Sequence, residues 1–146
     1  MQRSADGTEG VTPLDHTADV GFAVRAPSRT SLFDRAATAM RELIEGASEK
    51  PATDAPRQVR SVEVAADEAG ALLVAWLREL LYLHQVERLA YRSAAFERAG
   101  ETSLRADVTF AAAATRPVRE IKGVTYHGLA LDREADGWRA RVIFDV

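Results

Sequence analysis

The spacing of apolar residues in the first third of the chain predicts one strand followed by one helix. Apolar side chains alternate from Val20 to Val24, which indicates a strand with one buried face. From Ser31 to about Glu45 the apolar residues repeat at a helical period. Thr30 is the expected N-cap of this helix and Gly46 its expected C-cap.

The remainder of the chain predicts a longer helix and several strands. Asp67 is the expected N-cap of a helix that runs to roughly Glu87, with His84 among the polar positions outside its broad apolar face. Strands are predicted over 59–65, 92–98, 103–113, 124–132 and 138–145. Consecutive strands joined by hairpin-type turns favour antiparallel pairing. We therefore expect an α+β fold, a two-layer sandwich in which two helices pack on one face of a mainly antiparallel sheet.

Composition is that of an ordinary soluble domain and narrows the function. The 146 residues are 47% apolar and 28% charged, which predicts a single soluble domain, and the polar residues at the N-terminus predict a disordered extension. The net charge of −3 argues against sequence-independent nucleic-acid binding, but it does not exclude a partner that itself carries the nucleic acid. The absence of cysteine excludes disulfides and is compatible with the cytoplasm, the expected location. No apolar run approaches the ~18–20 residues that span a bilayer, so no membrane association is expected.

Ionisable residues at the ends of predicted strands are the first candidates for chemistry. Asp19 precedes the first strand, and Asp145 lies near the end of the last. If the sheet brings them together, two carboxylates and the backbone carbonyl of Val146 form a hard oxygen site for a divalent cation. The alternatives are a turn aspartate at 19 and a solvated strand edge at 145. A buried Ile143, on the same face as Asp145, would draw Asp145 inward and require a partner for it.

Histidines and a basic segment supply further candidates. His16 either makes a structural hydrogen bond or joins the carboxylates as a metal ligand, and a mainly oxygen site favours Ca²⁺ or Mg²⁺. The basic segment from Arg116 to Lys122 is either a solvated loop or a contact for phosphate or an acidic partner. His127 is a candidate acid or base, but no nucleophile accompanies it. The chain has no phosphate-binding glycine loop, paired-histidine zinc motif or nucleophile elbow.

Four segments, in this order, resemble the archease family over the chain from Pro13 to Val146. They are Asp15–Gly21, Leu72–Tyr82, Ile121–His127 and Val142–Val146. Because the resemblance begins at Pro13, it implies a single domain at 13–146, with the disordered extension at 1–12 outside it. The resemblance implies a small α+β protein that is a cofactor rather than an enzyme. Its partner would be the tRNA-splicing RNA ligase that acts through a guanylylated intermediate, and it would promote guanylylation and repeated turnover.

The resemblance also implies a metal site and reveals two departures. The ligands of a divalent metal would be Asp19, Asp145 and the backbone carbonyl of Val146, with Lys122 as a further functional position. His16 and His127 are additional candidates for contact with the partner or with phosphate. Where the family often has a Thr-Asp pair at the end of the first helix, this chain has Ile44–Gly46, and Gly123 replaces the usual alanine after the lysine.

Three functions are therefore weighed. The first is a metal-bearing accessory protein that activates an RNA ligase in tRNA splicing and RNA repair. The second is a stand-alone metal-dependent phosphohydrolase that uses His127 as acid or base. The third is a general RNA or protein chaperone that works without a metal.

Overall fold

The chain forms two helices and seven strands within the described residues. The computed structural model describes residues 10–15, 19–47 and 57–146. In chain order the elements are β1 (Val11–Asp15), β2 (Asp19–Ala26), α1 (Arg29–Glu45), β3 (Arg57–Ala65), α2 (Ala69–Val86), β4 (Leu89–Ala99), β5 (Ser103–Ala112), β6 (Gly123–Glu134) and β7 (Gly137–Asp145). All strand pairs given by the structure are antiparallel, and the predicted α+β class is confirmed.

The strands divide into two sheets, whereas the sequence predicted one. One sheet has the order β1-β2-β7-β6 and the other the order β3-β5-β4. Each helix contacts strands of both sheets, so the helices join the two halves of the fold. Alternation along a strand specifies its buried face but not its neighbours, which is why the division was not visible in the sequence.

Helix α1 begins earlier than predicted because its cap is Ser28 rather than Thr30. The Ser28 hydroxyl accepts a hydrogen bond from the backbone N–H of Ser31 at 3.1 Å, and the Ser31 hydroxyl lies 3.1 Å from the backbone nitrogen of Ser28. This reciprocal pair is a capping box, which satisfies donors that the first helical turn leaves free. The predicted C-cap, Gly46, is confirmed and has a φ of 94°.

Helix α2 is capped by Glu68 rather than by Asp67. The Glu68 carboxylate accepts hydrogen bonds from the backbone N–H groups of Gly70 and Ala71, both at 2.9 Å. Glu68 lies one residue later than the predicted cap Asp67, and its carboxylate reaches the N–H groups two and three residues ahead. The prediction that His84 lies outside the apolar face is wrong, because His84 is buried.

The N-terminal strand corrects one expected boundary. Val11 and Thr12, assigned from the sequence to a disordered extension, are the first two residues of β1 and pair with Val24 and Ala23 of β2. Residues 1–9 lie outside the described residues.

One core connects both helices and both sheets. Trp76 of α2 is fully buried, and its ring lies 5.5 Å from that of Phe96 in β4, measured between centroids. Its indole N–H donates to the carbonyl of Phe33 in α1 at 3.0 Å, so its polar atom is satisfied. Among the described residues, no helix combines the length and hydropathy needed to cross a membrane.

Candidate functional site

The ends of three neighbouring strands bring two carboxylates together. Asp19, the first residue of β2, lies directly opposite Asp145, the last residue of β7. Asp145 also lies opposite Gly123, the first residue of β6. Residues directly opposite in an antiparallel pair project to the same face of the sheet, with Cβ atoms ~4.5–5.5 Å apart. We call this end of the sheet, formed by Asp19, Asp145 and the backbone of Val146, the acidic corner.

The acidic corner faces solvent, contrary to the expectation that Asp145 would be drawn inward. Ile143 is buried at 1% exposure, but Asp145 is exposed and Asp19 is half-buried. Asp145 escapes burial because β7 ends there, beyond the part of the strand that the core covers. Within the described residues neither aspartate has an ion-pair partner. Like charges directly opposite repel, so a bound cation would stabilise the pair.

The donor set fits a hard divalent cation that keeps part of its water shell. Within the described ranges, no three His, Cys, Asp or Glu side chains cluster as metal ligands would. Two carboxylates with water are the way Mg²⁺ is commonly held, whereas Ca²⁺ takes additional oxygen ligands. The carbonyl of Asp145 already accepts a hydrogen bond from the N–H of Lys122 at 2.7 Å. Val146 is 40% exposed, and its backbone oxygen remains a candidate ligand. His16 lies outside the described residues.

Two glycines lie near the acidic corner, and the structure requires glycine at only one of these two positions. A Cβ on Gly21 would overlap the carbonyl oxygen of Val142 across the β2–β7 pair, so this glycine permits the strand pairing that holds Asp19 opposite Asp145. A Cβ on Gly123 would lie 3.9 Å from Oδ2 of Asp145, an ordinary van der Waals contact. An alanine would therefore fit at this position.

The basic segment that precedes β6 is exposed but anchored to both helices. The backbone N–H groups of Val118 and Arg119 donate to the carbonyl of Ile44, at 2.8 and 3.2 Å, at the end of α1. The Gln85 side chain of α2 donates to the carbonyl of Ile121 at 2.6 Å. These bonds fix the segment and position the backbone of Lys122 against the acidic corner.

His127 lies away from the acidic corner. It falls in an irregular stretch of β6 between Thr125 and Ala130, and Thr125 pairs with Ile143 rather than with Asp145. The backbone N–H of His127 donates to the Thr125 hydroxyl at 3.1 Å, and the residue is exposed. The structure therefore brings Asp19, Asp145 and the backbone of Lys122 together but does not pair His127 with any of them.

A buried polar cluster at the ends of the helices was missed by the sequence reasoning. Nε2 of His84 lies 2.7 Å from Oε2 of Glu45, which also accepts a hydrogen bond from the backbone N–H of Ala114 at 2.9 Å. Arg41 lies 3.8 Å from the other oxygen of Glu45. Glu45, His84 and Arg41 are 6%, 5% and 8% exposed, respectively. His84 follows Leu80 by four residues on the apolar face of α2, and this spacing was the available signal.

The electrostatics of this cluster are dominated by Glu45. Burial raises the pKa of the Glu45 carboxyl. Hydrogen bonds from His84 and Ala114, together with the charges of His84 and Arg41, lower this pKa by more than burial raises it, so the net shift is downward. Its charge is therefore compensated inside the protein. This arrangement has the features of a structural cluster, in contrast to the acidic corner.

Comparisons with known proteins agree with this fold. Residues 12–146 match the model of the Archease protein family. The chain is similar to Protein archease of Methanosarcina barkeri, with 34% identity over 91% of this chain and 93% of that protein. It is also similar to Protein archease of Methanosarcina acetivorans, with 32% identity and the same coverage. These names denote no catalytic activity.

Solved structures resemble the fold. The solution structure of Methanobacterium thermoautotrophicum protein 1598 superposes with a TM-score of 0.73 at 26% identity, covering 94% of this chain and 99% of that one. The crystal structure of a Thermotoga maritima archease, described as a possible chaperone, has a TM-score of 0.64 at 23% identity and covers 92% of this chain and 96% of that one.

The fold and the acidic corner together define a small α+β domain of two antiparallel sheets with a pair of facing carboxylates at one sheet end. The family match extends over nearly all of this domain. The chain belongs to the archease family.

Proposed function

We propose that this chain is a metal-binding accessory protein that activates a tRNA-splicing RNA ligase of the guanylylated-intermediate type. The observation that carries the proposal is the direct opposition of Asp19 and Asp145 beside the backbone of Lys122. The archease resemblance supplies the ligase as the partner. The chain would act on the ligase rather than catalyse a reaction of its own, and its contact with RNA would be indirect.

The roles of the three residues follow from their chemistry. Asp19 and Asp145 would hold the divalent ion, Ca²⁺ or Mg²⁺, with the backbone carbonyl of Val146 as a further oxygen ligand. When bound, the ion would offer positive charge to phosphate oxygens or carboxylates of the partner's active site. Lys122, whose backbone borders the corner, would contact phosphate or a carboxylate of the ligase.

The surroundings of the acidic corner favour docking against another molecule's site. Asp145 and Lys122 are both exposed, so a partner can reach them directly. Their backbones are fixed by strand pairing and by the anchored segment before β6, so little order has to be gained on binding. We propose that this activity takes place in the cytoplasm, with which the absence of cysteine is compatible.

The test is ligase guanylylation and multiple-turnover RNA joining with a matched RNA ligase, with and without this protein. Three proteins are compared: wild type, Asp145→Asn, and Asp136→Asn as the control. Asp136 is an exposed aspartate in the turn at the opposite end of β7, where asparagine suits the turn equally well. We expect wild type and Asp136→Asn to stimulate both reactions, and Asp145→Asn to stimulate them about tenfold less or worse, since it loses a charged ligand.

Activity measurements with the same variants and with His127→Ala separate the alternatives. Full stimulation by Asp145→Asn would contradict the metal-bearing corner. The chaperone hypothesis, which the description of the Thermotoga maritima protein raises, expects stimulation of unrelated proteins by wild type and Asp145→Asn alike. Phosphohydrolase activity of the purified chain, lost in His127→Ala, would support the stand-alone enzyme, which the position of His127 along β6 does not favour.

A further inference from the structure

A second polar site lies on the helix side of the basic segment. A cavity of about 560 Å³ opens between the last turns of α2 and residues 117–122. This volume is within the range that small-molecule sites occupy, ~300–1,000 Å³. Its lining includes three cationic side chains, from Arg88, Arg119 and Lys122, and one carboxylate, from Glu120.

Arg88 occupies a backbone conformation that usually belongs to glycine. It follows the C-cap of α2 and has a φ of 60°, and it is the one non-glycine residue with positive φ in the described chain. Glycine or asparagine is usual at this position after a helix, because a Cβ is disfavoured there. The conformation is held by a hydrogen bond from the N–H of Ala113 to the carbonyl of Arg88 at 2.9 Å. Strained residues of this kind concentrate at functional sites.

The two guanidinium groups are fixed, yet each has unused donors. Nη2 of Arg88 donates to the carbonyl of Ala114 at 2.9 Å, and Nη1 of Arg119 donates to the carbonyl of Leu43 at 3.1 Å. A guanidinium carries five N–H donors, so most remain free for a ligand. Among the residues that the structure describes, no carboxylate forms an ion pair with Arg88, Arg119 or Lys122.

We propose that this cavity binds the phosphate group of a small ligand of nucleotide size. Planar guanidinium forks match phosphate oxygens in pairs, and Arg88 and Arg119 both line this concave site together with Lys122. The anchoring bonds to Ala114 and Leu43 orient the forks before a ligand arrives, which lowers the entropic cost of binding. The proposal does not depend on the RNA ligase, because the site is complete within this chain.

The test is direct binding by isothermal titration calorimetry with inorganic phosphate, pyrophosphate, adenosine 5′-monophosphate, adenosine and a 5′-phosphorylated RNA oligonucleotide. Arg88→Gly removes the guanidinium and places glycine in the conformation it adopts without strain, so the fold is expected to be kept. Arg119→Ala removes the second fork, and Arg88→Lys retains the charge without the fork. Arg116→Ala is the matched control, because Arg116 belongs to the same exposed segment but does not line the cavity.

We expect saturable binding of the phosphate ligands and none of adenosine. Arg88→Gly and Arg119→Ala should each weaken binding about tenfold or more, the loss expected for charge-assisted hydrogen bonds, while Arg116→Ala stays within about twofold of wild type. Equal affinity for inorganic phosphate and the nucleotide would show that phosphate alone is recognised, and tighter nucleotide binding would show that the nucleoside contributes. Both results support the site.

Three results would overturn the proposal. The first is absence of binding of every phosphate ligand at millimolar concentration by folded wild-type protein. The second is an equal loss of affinity in Arg116→Ala and Arg88→Gly, which would indicate diffuse surface charge. The third is binding of a 5′-phosphorylated RNA oligonucleotide without binding of the mononucleotide, which would replace a small ligand with a nucleic acid.

Discussion

The buried cluster of Arg41, Glu45 and His84 and the acidic corner of Asp19 and Asp145 handle charge in opposite ways. In the cluster each ionisable group has partners within the protein. The Glu45 carboxylate accepts one hydrogen bond from the His84 side chain and another from the backbone N–H of Ala114. In the corner two like charges lie opposite each other at the exposed end of a sheet. The cluster uses its charges to fasten the ends of the helices, whereas the corner leaves its charges available to a ligand.

This difference shows that the burial of an ionisable residue does not by itself indicate a role in function. A buried carboxylate with a complete set of partners stabilises the fold only while those partners remain. An exposed, unpaired carboxylate contributes little to stability, so its placement opposite another carboxylate requires a different explanation. If this distinction is correct, substitutions in the two regions will separate stability from binding.

The largest expected effect is on stability, from Glu45→Ala in the buried cluster. Removing this carboxylate leaves His84 and the N–H of Ala114 without their partner and takes one of two carboxylates from Arg41, which should lower the free energy of unfolding by about 3–5 kcal/mol. Urea denaturation measures the change. Glu42→Ala is the control, because Glu42 also approaches Arg41 but is more exposed, and it should cost no more than about 1 kcal/mol. Equal losses in the two variants would refute a special role for the cluster.

The pH dependence of stability should show the same cluster by a second route. The folded pKa of Glu45 lies below the unfolded value, so its contribution to stability is full above the unfolded pKa of about 4.3 and is lost as pH falls through the folded pKa. The difference in unfolding free energy between wild type and Glu45→Gln should therefore narrow on going from about pH 7 to about pH 3. A difference that stays constant over this range would be evidence against the lowered pKa.

The smallest expected effect on stability is that of Asp145→Asn. In metal-free buffer the substitution removes a like-charge contact with Asp19, so the free energy of unfolding should be unchanged or rise by about 0.2–1 kcal/mol. Added Mg²⁺ or Ca²⁺ should then stabilise wild type but not the variant, because a ligand stabilises only the state that binds it. A clear loss of stability without metal would assign Asp145 to the structure rather than to a site.

The sequence predicted the elements and the partners of the acidic corner better than it predicted their surroundings. The strand and helix patterns are local, so β2, both helices and the hairpin strands were recognised with small shifts at the caps. The predicted oxygen site required the sheet to bring Asp19 beside Asp145, and the strand register confirms this juxtaposition. Metal binding at this position remains a prediction.

What the sequence did not reveal depends on contacts between distant segments. The partner of His84 is Glu45, 39 residues earlier, and only the fold brings the two side chains together. The exposure of Asp145 depends on where the core stops covering β7, and the left-handed Arg88 depends on a bond from Ala113. None of these is encoded in the period of a single element.

Calorimetric titration of the metal-free protein with Mg²⁺ and with Ca²⁺ measures whether Asp19 and Asp145 form a cation site. We expect saturable binding of at least one of these ions at one site in wild type and in Asp136→Asn, and affinity about tenfold lower or worse in Asp145→Asn. Wild-type affinity in Asp145→Asn, or no binding of either ion by wild type, would contradict the account.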